Sequence, residues 1–193
     1  CKWCSNPESQ LSRVQIMYHS DNCLHCQRCV RTCPAKAITA AEDGRIHIDF
    51  HKCTGCLSCM QGCPGRALTN EGEYKTVDEI VEVCMQDFDF YEESGGGVTI
   101  SGGEPLLQMD FVTETFRLLK RDGVHTCIDT AGQPFRPGDE EWLKKFDALL
   151  DVVDLFIVDI KTFSDRAHRE LTGHGNANIL AMLRYLSEKR KRI

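Results

Sequence analysis

The sequence predicts an α/β protein with a parallel sheet or barrel, carrying a small cysteine-rich module inserted close to its start. Two observations carry the prediction. From residue 75 onward, short and almost wholly apolar runs alternate with segments of helical periodicity. Repeated β-then-α units with apolar strands are the pattern of a parallel sheet covered by helices. Before residue 75, two copies of one cysteine run stand 30 residues apart, in a stretch with almost no room for a hydrophobic core. A length of 193 residues accommodates one ordinary domain and a small one.

In chain order, Cys1-Lys2-Trp3-Cys4 comes first, followed by the turn-rich Ser5-Asn6-Pro7-Glu8-Ser9. A lone C-x2-C is compatible with half a zinc site, a redox dithiol or a pair of cluster ligands. Residues 14–20 alternate apolar and polar and predict a strand leading into the module. The two runs follow, with Cys23, Cys26, Cys29 and Cys33-Pro34 in the first and Cys53, Cys56, Cys59 and Cys63-Pro64 in the second. Both read C-x2-C-x2-C-x3-C-P, and a shift of 30 residues also superimposes Ala37 on Ala67 and Ile38 on Leu68, the mark of an internal duplication. This is the spacing of bacterial two-cluster ferredoxins, in which three cysteines of one run and the fourth of the other hold each [4Fe-4S] cluster. One cluster would take Cys23, Cys26, Cys29 and Cys63, the other Cys53, Cys56, Cys59 and Cys33. Between the runs, a turn at Glu42-Asp43-Gly44 and a second alternating stretch at 45–50 predict another strand. With so little core, the clusters themselves would supply the folding energy of the module.

Beyond residue 75, Val77, Ile80, Val81, Cys84, Met85 and Phe88 recur at helical spacing and predict one helix over 76–91. The glycines at 95–97 break it, and 98–101 predicts a buried strand. A helix containing Phe111, Phe116, Leu118 and Leu119 ends at Asp122-Gly123, a strand spans 124–130, and 137–149 contains a helix. Residues 152–160 are the longest apolar run and predict a further strand, and 178–193 predicts a helix whose solvated end is the basic run 189–192. Cys84 and Cys127 lie in apolar-periodic segments and are expected to be buried small hydrophobes.

Composition narrows the class. The net charge of -6 and the single short basic run argue against a nucleic-acid partner. No long apolar run or signal-like start points to a membrane or to export. Twelve cysteines, eight of them in the double run, favour the cytoplasm, with thiolates committed to metal, over a secreted disulfide scaffold. Two such runs exceed what tetrahedral zinc requires.

In parallel α/β folds, chemistry gathers where strands end. Three strand ends here carry polar groups: Ser101-Gly102-Gly103-Glu104-Pro105, Asp129-Thr130-Ala131-Gly132, and Asp159 with Lys161. Glycines after a strand let a ligand approach the backbone, and Glu104 can accept hydrogen bonds from an ammonium group; the plainer reading is a tight turn with an exposed glutamate. Asp159 and Lys161 share a side by strand alternation, either as a simple ion pair or as part of a site.

Taken together, these residues resemble one family. Cys1-Lys2-Trp3-Cys4-Ser5-Asn6-Pro7-Glu8 looks like the end of the C-x3-C-x2-C signature of radical S-adenosylmethionine (SAM) enzymes, and Ser101-Gly102-Gly103-Glu104-Pro105 like their Gly-Gly-Glu motif. With the double run between them, the chain resembles the glycyl-radical-enzyme activating enzymes of the branch that carries extra clusters; pyruvate formate-lyase activase, which lacks the insert, is a poorer match. The resemblance extends to Asp159-Ile160-Lys161 and Leu171-Thr172-Gly173.

The resemblance implies a partial (β/α)6 radical SAM barrel with an inserted bacterial ferredoxin-like domain. Residues 1–13 would begin the core, 14–72 form the two-cluster insert, and 73–193 continue the core. Cys1 and Cys4 would be ligands of the [4Fe-4S] cluster that binds SAM, and Trp3 would pack its adenine. Gly102, Gly103 and Glu104 would hold the methionine amino end. Asp129, Thr130 and Asp159 would surround a monovalent cation, with the catalytic Lys161 beside them. The expected activity is reductive cleavage of SAM to a 5'-deoxyadenosyl radical that takes hydrogen from a glycine of a partner glycyl-radical enzyme. A reduced ferredoxin or flavodoxin would be the electron donor. The first cysteine of the signature is absent, and the first and last barrel strands are not recognisable, so the chain reads as an inactive piece of a longer one. The alternative is a ferredoxin-type electron carrier or redox-enzyme subunit, which assigns no purpose to Cys1, Cys4 or Glu104.

Overall fold

The computed structural model describes residues 2, 4, 9 and 13–193. The chain forms two compact units, one spanning Asn6–Tyr74 and the other combining Lys2 and Cys4 with Lys75–Ile193.

The cysteine-rich unit contains strand β1 (Gln15–Tyr18), helix α1 (Arg28–Thr32), strands β2 (Ile38–Ala40) and β3 (Ile46–Ile48), helix α2 (Ser58–Gln61) and strand β4 (Leu68–Glu71). β1 pairs antiparallel with β4 and β2 with β3. The duplication is written into the register: shifted by 30 residues, the pair Ile16↔Asn70 becomes Ile46↔Ala40 with the partners exchanged. It recurs in the backbone. Gln27 and Leu57 (φ 55° and 62°) both precede their helices in the left-handed region, and Lys36 and Arg66 (φ 50° and 51°) follow them there. Non-glycine residues hold that conformation only where their surroundings enforce it. Five buried residues, Ile16, Ile38, Ile48, Cys59 and Leu68, make the core, with Cys29, Cys33, Cys53 and Cys63 packed against it.

The α/β unit runs α3 (Val77–Cys84), α4 (Phe88–Ser94), β5 (Gly97–Ile100), α5 (Met109–Arg121), β6 (His125–Thr130), α6 (Glu140–Leu150), β7 (Leu155–Val158), α7 (Asp165–Thr172) and α8 (Ala177–Glu188). Thr76 caps α3 in a reciprocal box with Glu79. The single helix expected over 76–91 is divided by a 3-10 turn at Met85–Asp87, where Asp87 (φ -102°, ψ 16°) leaves the helical region. Val81, Cys84, Met85, Phe88 and Tyr91 still pack on the core, because the apolar stripe needs each piece only to present its own inner face.

The strands form a parallel sheet in the order β5-β6-β7. Val98, Ile128 and Phe156 share a face with Thr126 and Thr130 and join the core under α5, α6 and α8 with Phe116, Leu119, Phe146, Leu149, Met182 and Leu186. Phe146 stands at its centre, with Trp142, Phe135, Tyr185 and Phe156 around it at ring separations of 5.1 to 6.2 Å. Thr99, Cys127, Asp129, Leu155 and Ile157 alternate onto the opposite face, where Ile157 is 48% exposed.

Two expectations are corrected. The strand predicted over 152–160 begins only at Leu155; Val152 and Val153 are buried in the turn closing α6, their N–H groups donating to the Leu149 and Leu150 carbonyls. An apolar run signals burial, and a buried turn reads like a buried strand. The last helix ends at Glu188, Arg190 turns through φ 56°, and Arg192 bridges in parallel to Leu155, accepting from the Phe156 N–H at 3.0 Å. The basic run thus lies past the helix end and mostly at the surface, where Lys189 pairs with Asp147 and Lys191 donates to the Leu150 carbonyl. Among the described residues no helix is long and apolar enough to cross a membrane.

Candidate cofactor-binding sites

The eight cysteines of the double run are free thiols sorted around two cavities. Cys23, Cys26, Cys29 and Cys63 line one, together with Tyr18 and Arg28. Cys53, Cys56, Cys59 and Cys33 line the other, together with Ile16, Ile38 and Ile48. The space around each set of thiols is about 330 Å³, part of it open to solvent. Each cavity thus draws three cysteines from one run and the fourth from the other, the donor set of a four-iron cluster. Among the described residues no three His, Cys, Asp or Glu side chains converge as a single metal ion would require. Thiols spread around a cavity suit a larger body.

Electrostatics report the same grouping. Burial pushes the Cys29 thiol up, and the fields of Cys63 and Cys23 add to it; burial also pushes Cys59 up, with Cys53 and Cys33 adding. Cys56 is pulled down, first by its hydrogen bond with Ser58. Crowded thiols resist ionisation alone and ionise readily against a metal. The backbone N–H groups of Ala37 and Ala67 each donate to a sulfur, Cys33 and Cys63 respectively, at 3.3 Å. The Tyr18 hydroxyl oxygen is buried without a hydrogen-bond partner among the described residues.

In the α/β unit the second site lies where β5 and β6 end. Gly102 and Gly103 both adopt positive φ (68° and 53°), a conformation that favours glycine, and a Cβ added at Gly102 would meet nothing within 4 Å. The loop therefore leaves open space beside its backbone. Glu104 follows and is held from three directions. The Thr130 hydroxyl donates to Oε1 at 2.5 Å, the Leu106 N–H to the same oxygen at 3.1 Å, and the Ala131 N–H to Oε2 at 3.1 Å. The plainer expectation of an exposed glutamate in a turn does not describe this half-buried carboxylate. Burial holds its pKa above the usual glutamate value, the hydrogen bonds oppose that rise, and the nearby Asp129 charge adds to it.

Thr130 and Asp129 fall on opposite faces of β6. The Thr130 hydroxyl is engaged by Glu104 and by the Gly132 N–H at 2.9 Å, whereas Asp129 shares the other face with Ile157 of β7. The ladder continues through the Asp159 N–H to the Thr130 carbonyl at 3.0 Å, so alternation returns Asp159 to the Asp129 face. Asp159 forms an ion pair with Lys161; at 45% and 31% side-chain exposure, such a pair adds little stability.

Cys1 and Trp3 lie outside the described residues. The Lys2 N–H donates to the Thr172 carbonyl at 3.0 Å, which ties the start of the chain to the end of α7. Sequence reasoning missed the support behind that contact. His168 is buried with Nδ1 2.7 Å from the His174 carbonyl, and Asn176, also buried, donates to the Thr162 and Phe163 carbonyls. α7, capped by Ser164 and ended at Gly173, was not among the predicted helices, and nothing local marked its polar underside.

Comparison with known proteins agrees with this arrangement. An isethionate sulfite-lyase activating enzyme from Oleidesulfovibrio alaskensis is 39% identical across 98% of this chain and 60% of its own length. A benzylsuccinate synthase activating enzyme from Thauera aromatica is 43% identical across 96% of this chain and 56% of its own. A pyruvate formate-lyase-activating enzyme from Listeria monocytogenes is 42% identical across only 63% of this chain and 49% of its own. The chain thus spans about 60% of the length of the first of these. The family description "Radical SAM superfamily" matches residues 1–192, which leaves the simple electron-carrier reading without support. With that match running through both units, the chain belongs to the radical SAM superfamily.

Proposed function

We propose that the complete protein is a glycyl-radical-enzyme activating enzyme that cleaves SAM reductively and generates a radical on a glycine of its partner. The observation that carries the reading is the Glu104 carboxylate, fixed by Thr130, Leu106 and Ala131 beside the open backbone of Gly102. The names of the relatives point the same way. When bound, a [4Fe-4S] cluster and SAM together supply a 5'-deoxyadenosyl radical that abstracts hydrogen.

The residues of this chain orient the substrate for that chemistry. Glu104 accepts hydrogen bonds from the SAM ammonium, and Gly102 and Gly103 let the methionine end approach the backbone. Thr130 holds Glu104 in place. Asp129 and Asp159 face a monovalent cation on the other side of the sheet, with Lys161 beside them. Cys1 and Cys4 would ligate the cluster and Trp3 would pack against adenine, roles that the family resemblance assigns. The fold around them is a (β/α)6 barrel begun by 1–13 and continued by 73–193.

Residues 14–72 form a ferredoxin-like insert holding two further [4Fe-4S] clusters, which take electrons from a reduced ferredoxin or flavodoxin in the cytoplasm. The comparisons support a separable insert. The unmatched third of this chain, against a pyruvate formate-lyase activating enzyme that aligns over 122 residues, is of the size of the Asn6–Tyr74 unit.

The test is SAM binding by the full-length, anaerobically loaded protein. Glu104→Gln should weaken binding about tenfold to a hundredfold, the worth of a hydrogen bond to a charged group at about 1.5–3 kcal/mol. Because the Glu104 pKa is raised, falling pH protonates it earlier than an ordinary glutamate. Affinity in the unsubstituted protein should then decline on the acid side from a pH above the usual glutamate range, while Glu104→Gln stays weak and flat. Equal affinity in both proteins would remove Glu104 from the site.

A further inference from the structure

The two cysteine cavities are related by the 30-residue duplication, so a difference between equivalent positions is a difference between the two sites. Tyr18 lines the first cavity, and its equivalent, Ile48, lines the second. The Tyr18 oxygen is buried and has no hydrogen-bond partner among the described residues, although a buried hydroxyl ordinarily finds one. Cys23 lines the same cavity as Tyr18. A neutral thiol is a weak acceptor, whereas a ligating thiolate is a strong one.

Resting on the reading that this unit binds two [4Fe-4S] clusters, we propose that the Tyr18 hydroxyl donates to the Cys23 sulfur in the loaded protein and raises the reduction potential of the cluster held by Cys23, Cys26, Cys29 and Cys63. Reduction places one more negative charge on cluster and ligands, so a donor aimed at a ligand sulfur stabilises the reduced form more than the oxidised one. The second site has a hydroxyl of its own, Ser58, 3.4 Å from the Cys56 sulfur. That contact is exposed, and water replaces its donor when it is lost. No water reaches the Tyr18 oxygen to do the same. Arg28 lines the first cavity where Ser58 is its equivalent in the second, and its positive charge acts in the same direction. The tyrosine ranks the two clusters, and the electron supplied by an external reductant settles preferentially on the first.

The experiment is a redox titration of the full-length, anaerobically loaded protein, followed by electron paramagnetic resonance, in unsubstituted, Tyr18→Phe and Ser58→Ala forms. Tyr18→Phe should lower one midpoint by about 59 mV, a tenfold change in the oxidised-to-reduced ratio for one electron, and leave those of the second insert cluster and of the SAM-binding cluster in place. Ser58→Ala should move the midpoint of the second insert cluster by less. In the unsubstituted protein, exchange into D2O should shift an Fe–S stretching band in the resonance Raman spectrum, and Tyr18→Phe should abolish that part of the shift. Unchanged midpoints in a fully iron-loaded Tyr18→Phe protein, or a deuterium shift identical in both forms, overturn the proposal. Iron analysis separates this failure from the deeper one, since an unsubstituted chain that never loads the eight thiols defeats the cluster reading itself.

Discussion

Among the described residues, the α/β unit gathers seventeen buried apolar side chains in one continuous core, while the core cluster of the cysteine-rich unit has five and its two cavities are surrounded by eight thiols. In the first, backbone geometry follows from packing, with helices covering one face of a parallel sheet. In the second, helices of five and four residues and strands of three or four are too short to hold themselves. Its four non-glycine residues with matching positive φ at equivalent sites mark a backbone shaped around something other than its own side chains. One polypeptide thus combines a unit specified by hydrophobic burial with one whose cysteines crowd around two cavities.

The most direct way to break that contrast is to withdraw the metal. On the proposed reading, chelating iron from the loaded full-length protein should abolish amide-exchange protection throughout β1 to β4 and leave β5 to β7 protected, as read by hydrogen-exchange mass spectrometry. Retained protection in the cysteine-rich unit would show that its small core suffices. The converse experiment strikes the packed unit. Phe146→Ala removes a fully buried ring at the centre of four aromatic neighbours and should cost about 3–5 kcal/mol, seen as a lowered denaturation midpoint of that unit with iron content unchanged. Thr76→Ala should have the smallest effect. Loss of the capping box over α3 costs about 1 kcal/mol, lowering the melting midpoint by a few degrees, and a larger change would show that α3 contributes more than its exposed cap indicates.

The same contrast explains what the sequence could reveal. The cysteine spacing and the 30-residue repeat are local, so they were legible residue by residue, down to which cysteine of each run lines the cavity of the other. Packing is encoded in pairs far apart. The apolar run at 152–160 announced burial, but only the register against β6 decides that Leu155 and not Val152 begins the strand. Glu104 was conspicuous beside its glycines, yet what holds its carboxylate is a hydroxyl 26 residues away, which no local pattern contains. Arg192 read as the end of a helix because its backbone partner, Leu155, lies 37 residues earlier in the chain. The unpartnered oxygen of Tyr18 was equally silent, since an alternating strand residue does not declare which cavity its far end enters.

The order of the sheet also bears on how the protein is made. In the α/β unit, spatial order follows synthesis order through β5, β6 and β7, and Arg192 joins the exposed edge of β7, so every strand finds its predecessor already present as it leaves the ribosome. β1, by contrast, must wait for β4, because Ile16 pairs with Asn70. Within the cysteine-rich unit only the pair of β2 and β3 can close early, so β1 stays unpaired, with the thiols that follow it exposed, until β4 has left the ribosome, the interval in which oxidation of those cysteines would be most damaging.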